Sequence, residues 1–212
     1  MFDVDGNIFC FKSGFVSIVV LAIALTTAEV KALAVGATPV NQTLALQHLY
    51  DATNGPEWSS NGGDPWNFSQ PLELTEPCNG WDGITCDCVN STSITDGGSE
   101  TCNIVELMLF WVDLKGSLPS TLSMLQHLSM LNLAFNEITG TIPLGTFNLT
   151  NLVDFNMGYN SLTGTIPHQV TQMTGLIQFN VFFNYFSGTI PTGIDSWAHL
   201  EVNCMDEIIM IL

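Results

Sequence analysis

The sequence predicts an α/β solenoid, a stack of similar units that each supply one strand and one return path. Three observations carry this. Leu128, Leu152, Leu176 and Leu200 recur every 24 residues, and Gly116, Gly140, Gly164 and Gly188 keep the same spacing, as do Pro119, Pro143, Pro167 and Pro191. Within each unit the first, fourth and sixth residues are apolar, as in Leu128, Leu131 and Leu133, which is the alternation of a strand with one buried face. A fixed period of this length marks a repeat array whose units bury their apolar faces only against one another.

Near its start the chain has an apolar run at 15–25, broken only by Ser17, behind Lys12 and followed by Ala32, Leu33 and Ala34 in the A-x-A form of a signal peptidase site. Residues 1–34 therefore read as a secretory signal peptide, with the exported form starting near Val35. The run is shorter than the roughly 20 apolar residues of a membrane span. An uncleaved anchor is the alternative, since Asp3 and Asp5 spoil the positive flank expected of a signal.

Residues 35–103 are not repetitive and read as a capping domain. An apolar face at helical spacing over 43–52 predicts one helix, with Asn41 or Thr43 placed to cap its start and Gly55 and Pro56 to stop it. Trp58, Trp66 and Trp81 follow in a loop region rich in Gly, Asn and Pro, where they serve best as a plug for the open end of the solenoid. Cys86 and Cys88 flank Asp87 and point the same way from an extended strand, so each needs a partner elsewhere. The expected pairs are Cys78 with Cys86 and Cys88 with Cys102, leaving Cys204 unpaired within the chain; a zinc site is the disfavoured alternative, since paired C-x-x-C spacing is missing. The polar segment 89–101 between Cys88 and Cys102 reads as a stapled loop or hairpin.

Residues 104–203 hold the repeats: four units beginning at Ile104, Leu128, Leu152 and Leu176, and a fifth begun at Leu200. Asn136, Asn160 and Asn184 at the ninth position suit a buried ladder of amides that serve backbone groups of adjacent coils. Unit one has Val112 there, so the ladder starts a coil late. Unit two has Thr146 where its neighbours have Leu122, Val170 and Ile194, with Phe147 placed to compensate. The fifth unit breaks down at Asn203, and 204–212 form an atypical tail, of the kind a truncation leaves.

The units LSMLNLAFNEITGTIP, LVDFNMGYNSLTGTIP and LIQFNVFFNYFSGTIP resemble the plant-type leucine-rich repeat family, whose unit reads L-x-x-L-x-L-x-x-N-x-L-x-G-x-I-P. The segments LALQHLYDATNGPEW and PCNGWDGITC look like its N-terminal cap, in which two cysteines flank a Trp and a Gly, here Cys78, Trp81, Gly83 and Cys86. The resemblance implies a right-handed, curved solenoid with a parallel β-sheet on its concave face and a disulfide-stapled cap containing one helix. It also implies extracellular recognition, as in receptor ectodomains and secreted enzyme inhibitors.

Charge narrows the partners. The chain has 20 Asp and Glu against three Lys and Arg, a formal net charge of −17. Nucleic acid, anionic glycans and anionic membrane surfaces are disfavoured, because each needs clustered basic side chains. Membrane association would come only through an uncleaved leader or a further C-terminal segment. Asn41, Asn67, Asn90 and Asn148 open N-x-S/T sequons, in keeping with a secreted or cell-surface protein.

Catalytic signatures are missing: there is no G-x-S-x-G elbow, H-E-x-x-H helix or phosphate-binding glycine loop, and His48, His127, His168 and His199 are isolated from one another in sequence. The expectation is a protein that is not an enzyme and has no cofactor or metal; the turns at 62–64 and 96–100 are explained by turn chemistry better than by calcium. Function is expected on the concave sheet, where the third, fifth, seventh and eighth residues of each unit face outward. The eighth position is aromatic in every unit, Trp111, Phe135, Tyr159 and Phe183, flanked by Asn132, Asn156 and Asn180 at the fifth. Such a column either stacks on itself to shield the ladder beneath or binds a ligand. A protein or peptide ligand is expected, with a neutral glycan as the other reading; the function classes are a receptor-like recognition module, an inhibitor of a secreted hydrolase, and a structural surface glycoprotein.

Overall fold

The structure is a computed structural model and describes residues 38–60, 63, 65–90 and 100–193. The leader and its cleavage site, Ile194, His199, Leu200, Cys204, the tail and the turns at 62 and 96 lie outside the described residues, as does the side chain of Asn90.

One helix, α1 (Val40–Ala52), packs through Ala45, Leu46 and Leu49 onto the first coil. Asn41 and Thr43 do not cap it; both lie inside it, and Pro39 occupies the N-cap position with no side-chain cap. The reason is tertiary. Buried Gln42 accepts a hydrogen bond from the Ile104 N–H at 2.9 Å and donates to Asn103 Oδ1 at 2.9 Å, so the first turn is drawn inward to satisfy a stretch of β2 that pairs with β1 on one edge but lies ahead of its pairing with the repeats on the other. Beyond the helix, Trp58, Trp66 and Trp81 gather with Tyr50 and Phe68 into an aromatic cluster that joins the main core. The indole N–H groups of Trp58 and Trp66 donate to the Thr53 and Asp82 carbonyls, so their burial orphans no donor.

The cap ends in a hairpin of β1 (Ile84–Asn90) and β2 (Glu100–Met108), antiparallel, with Cys88 directly opposite Cys102. Cys78–Cys86 and Cys88–Cys102 are bonded. Strand β2 continues without a break across residues 103 and 104 and pairs in parallel with the repeats on its other edge. The five-stranded sheet runs β1-β2-β4-β6-β8, with β4 (Met130–Asn132), β6 (Asp154–Asn156) and β8 (Gln178–Asn180) in the same register from unit to unit.

A second, four-stranded parallel sheet, β3 (Lys115–Ser117), β5 (Glu137–Gly140), β7 (Ser161–Gly164) and β9 (Tyr185–Phe186), forms on the return path. Thr139 and Thr163 Oγ1 donate to the Gly116 and Gly140 carbonyls of the coil before, at 2.9 and 3.0 Å. The 3-10 helices Ser120–Met124, Leu144–Asn148 and His168–Gln172 stack beside one another after Pro119, Pro143 and Pro167, and α1 packs on the first of them. Between these layers run Leu131, Phe155, Leu133, Met157, Ile138, Leu162 and their neighbours, nearly all fully buried. Thr146 is buried with its hydroxyl unpartnered, while Phe147 fills the space beside Phe155.

Candidate ligand-binding face

The outer face of the large sheet is built from a repeated turn. After each short strand the eighth residue takes a left-handed conformation: φ is 54° at Trp111, 57° at Phe135, 55° at Tyr159 and 51° at Phe183. This turn lets the ninth residue drop into the core. Asn160 donates through Nδ2 to the Leu133, Met157 and Gly158 carbonyls and accepts at Oδ1 from the Ile138 N–H. Asn136 and Asn184 repeat the pattern, and Asn136 also accepts from the Val112 and Leu114 N–H groups. Each Asn thus serves the coil before its own, which is why Val112 is tolerated in the first coil.

The same turn places the aromatic rings outside. Phe135 and Tyr159 stack with centroids 4.0 Å apart, and Tyr159 and Phe183 at 4.2 Å. The column differs from the expected one at its first member. Phe110, not Trp111, meets the Phe135 edge at 5.1 Å, whereas Trp111 is 70% exposed and its ring touches no other aromatic ring among the described residues. Just past the end of β2, the neighbouring residues Phe110 and Trp111 thus exchange the roles expected of them.

Two further corrections concern the flanking rows. The seventh residues do not all face outward: Ala134 and Gly158 are buried, and a Cβ on Gly158 would stand 2.9 Å from Asn180 Oδ1, so that glycine leaves room for the amide of the next coil. Asn132, Asn156 and Asn180 are half-buried, and their Oδ1 atoms are already taken, accepting from the N–H two residues on at 3.0 to 3.1 Å. This is an Asx-type bond that shapes the strand exit. Their Nδ2 groups have no hydrogen-bond partner among the described residues.

The third-position row, in strand register, reads Glu106, Met130, Asp154 and Gln178. Asp154 Oδ1 is buried without a hydrogen bond, and desolvation by burial raises its pKa. Sequence reading placed Asp154 on this face but gave no sign that its carboxylate would be half sunk; that needed the packing of adjacent coils. At the N-terminal end of the sheet a recess is lined by Tyr50, Trp58, Trp66, Asp82, Leu109 and Val112.

Asn41, Asn67 and Asn148 are exposed. His48 Nδ1 lies 3.1 Å from Thr121 Oγ1, and His127 and His168 are exposed on the return path. Among the described residues no three His, Cys, Asp or Glu side chains gather as a metal site would require, and no helix is long and apolar enough to cross a membrane.

No protein-family model and no curated protein matches the chain. Among solved structures it is similar to the LRR ectodomain of the receptor kinase SOBIR1 from Arabidopsis thaliana, at 18% identity over 78% of each chain with a TM-score of 0.61. It is similar also to a chain of the BIR3–SERK2 complex from the same plant, at 25% identity over 75% of this chain and 77% of that one, with a TM-score of 0.59. The BIR2 ectodomain, again from Arabidopsis thaliana, shares 23% identity over 74% and 75% of the two chains, with a TM-score of 0.58. The fold is that of the plant-type leucine-rich repeat ectodomains: a right-handed curved solenoid, a parallel sheet on the concave face and a disulfide-stapled cap. Both disulfides and this likeness fit an extracellular location.

Proposed function

We propose that this chain is an extracellular, receptor-like recognition module that binds a protein or peptide through its concave face, with Trp111, Phe135, Tyr159 and Phe183 as apolar anchors and Asn132, Asn156 and Asn180 as donors. The observation that carries this reading is Trp111. A left-handed conformation costs a non-glycine residue about 1 to 2 kcal/mol, and an aromatic pair returns about 0.5 to 1.5 kcal/mol. For Tyr159, which stacks on two rings, these terms roughly cancel, so stacking alone accounts for its presence. Trp111 has the same turn and, among the described residues, no ring partner. The fold gains little from this indole, whereas Trp is among the residue types enriched in the hot spots at the centre of protein interfaces.

Support for a macromolecular ligand comes also from the comparison with the chain solved in the BIR3–SERK2 complex, a pairing of two proteins. The test is selection of displayed random dodecapeptides on the whole chain, followed by affinities for wild type, Trp111→Gly and Tyr159→Ala. Trp111→Gly should weaken the selected peptides about thirtyfold, a loss of about 2 kcal/mol, while leaving the melting temperature unchanged or higher. Peptides that bind both variants as they bind wild type would remove the concave face from the site.

A further inference from the structure

Asp154 presents a carboxylate in the middle of the concave face that no other described residue neutralises. Its strand alternates half-buried Asp154 and Asn156 with fully buried Phe155, so both polar residues lie on the outer side. Met130 and Gln178 flank it in register on the neighbouring strands. Oδ1 is sealed from water, and the carboxylate makes no hydrogen bond or ion pair among the described residues. Lys115 is the one Lys or Arg among those residues, and it is committed to Glu137 on the second sheet at 3.2 Å. Two strands away in the same row stands Glu106, at about 10 Å by strand spacing.

A half-buried carboxylate with no partner destabilises a fold, and a cation delivered to its open side offsets part of that penalty while forming a charge-assisted hydrogen bond. The rest of the face matches such a visitor. The Nδ2 donors of Asn132, Asn156 and Asn180, unpaired among the described residues, run beside the row of Asp154 and suit main-chain carbonyls, while the aromatic column offers an apolar side. The formal net charge of −17 steers a basic partner toward the surface and repels an acidic one.

We propose that the ligand is a basic protein or peptide segment, and that one of its arginine or lysine side chains docks on Asp154. This rests on the concave face being the recognition surface, and it names the chemistry of what that face takes.

The experiment sequences the dodecapeptides selected on the whole chain and measures chosen ones against wild type, Asp154→Asn and, as a charge-matched control, Asp51→Asn on the exposed side of α1. Lys or Arg should be enriched in the selected set. Asp154→Asn, or replacement of that basic residue by citrulline or norleucine, should weaken binding about tenfold or more, with Asp51→Asn within about twofold of wild type. Peptides that depend on Tyr159 yet carry no basic enrichment would overturn the charge assignment and leave the concave site standing. Equal losses for Asp154→Asn and Asp51→Asn would overturn it too, reducing the effect to diffuse attraction. Peptides indifferent to both Trp111 and Tyr159 would instead defeat the reading of the face itself.

Discussion

Tyr159 and Asn160 are neighbours in the chain that face opposite sides of the sheet: the phenol ring stacks on Phe135 outside, and the amide beside it is 7% exposed and bonded to three carbonyls inside. The φ of 55° at Tyr159 makes this reversal. One turn therefore builds both the internal ladder that holds coils together and the external aromatic column, and changes at the eighth and ninth positions of a unit separate the two roles.

Asn160→Ala should destabilise the protein more than Asn156→Ala. The first orphans the Ile138 N–H and several carbonyls in a buried setting, a loss of about 1 to 3 kcal/mol. The second removes a single half-exposed Asx bond to Gly158. Thermal melts of the two variants decide it, and equal losses would contradict the ladder.

Thr146→Val should raise stability by about 1 kcal/mol. The Thr146 hydroxyl is fully buried with no partner, and an unsatisfied buried polar group carries a desolvation penalty that an apolar group of the same shape does not. Denaturant unfolding would show a higher midpoint at unchanged slope. A lower midpoint would mean the hydroxyl holds a water.

Asp154→Asn should stabilise the protein at neutral pH, and the gain should fade in acid. Burial raises the Asp154 pKa, so the folded state holds that proton more tightly than the unfolded chain does. The wild type is therefore penalised above the folded-state pKa. The penalty shrinks as pH falls through that value and is gone below the unfolded value of about 3.9. Melts from pH 7 to pH 3 should show the two proteins converging. A constant gap would point to packing in place of charge.

Removing Cys88–Cys102 by paired serine substitutions should cost about 3 kcal/mol, as for a loop closed over 14 residues. Protease susceptibility should rise first in the cap, because the bond joins the hairpin strands directly opposite one another. Calorimetry with limited proteolysis measures both effects. Cleavage starting in the third or fourth coil would show that the hairpin does not anchor the cap.

The repeat length, the strand alternation, the Asn ladder and the short cysteine spacings were all legible along the chain. Each is a local demand made at one position and repeated: an apolar residue where a strand faces inward, an amide where the chain leaves it. The second sheet was not legible. Its strands are two to four residues long and mostly polar, and they are held by bonds such as Thr163 Oγ1 to the Gly140 carbonyl that reach into the previous coil.

Sequence by itself determined that this protein is a solenoid and which face its aromatic rows occupy, since period and alternation are properties of single residues along the chain. Only the tertiary structure decided that Phe110 joins the column while Trp111 stands clear of it. It alone decided that Asn132 spends its oxygen on Ala134, that Gln42 pulls α1 onto Ile104, and that Asp154 is left half sunk and unpaired. Each of these outcomes depends on where one coil sets its side chains against the next, and that register is an interaction between residues far apart in the chain.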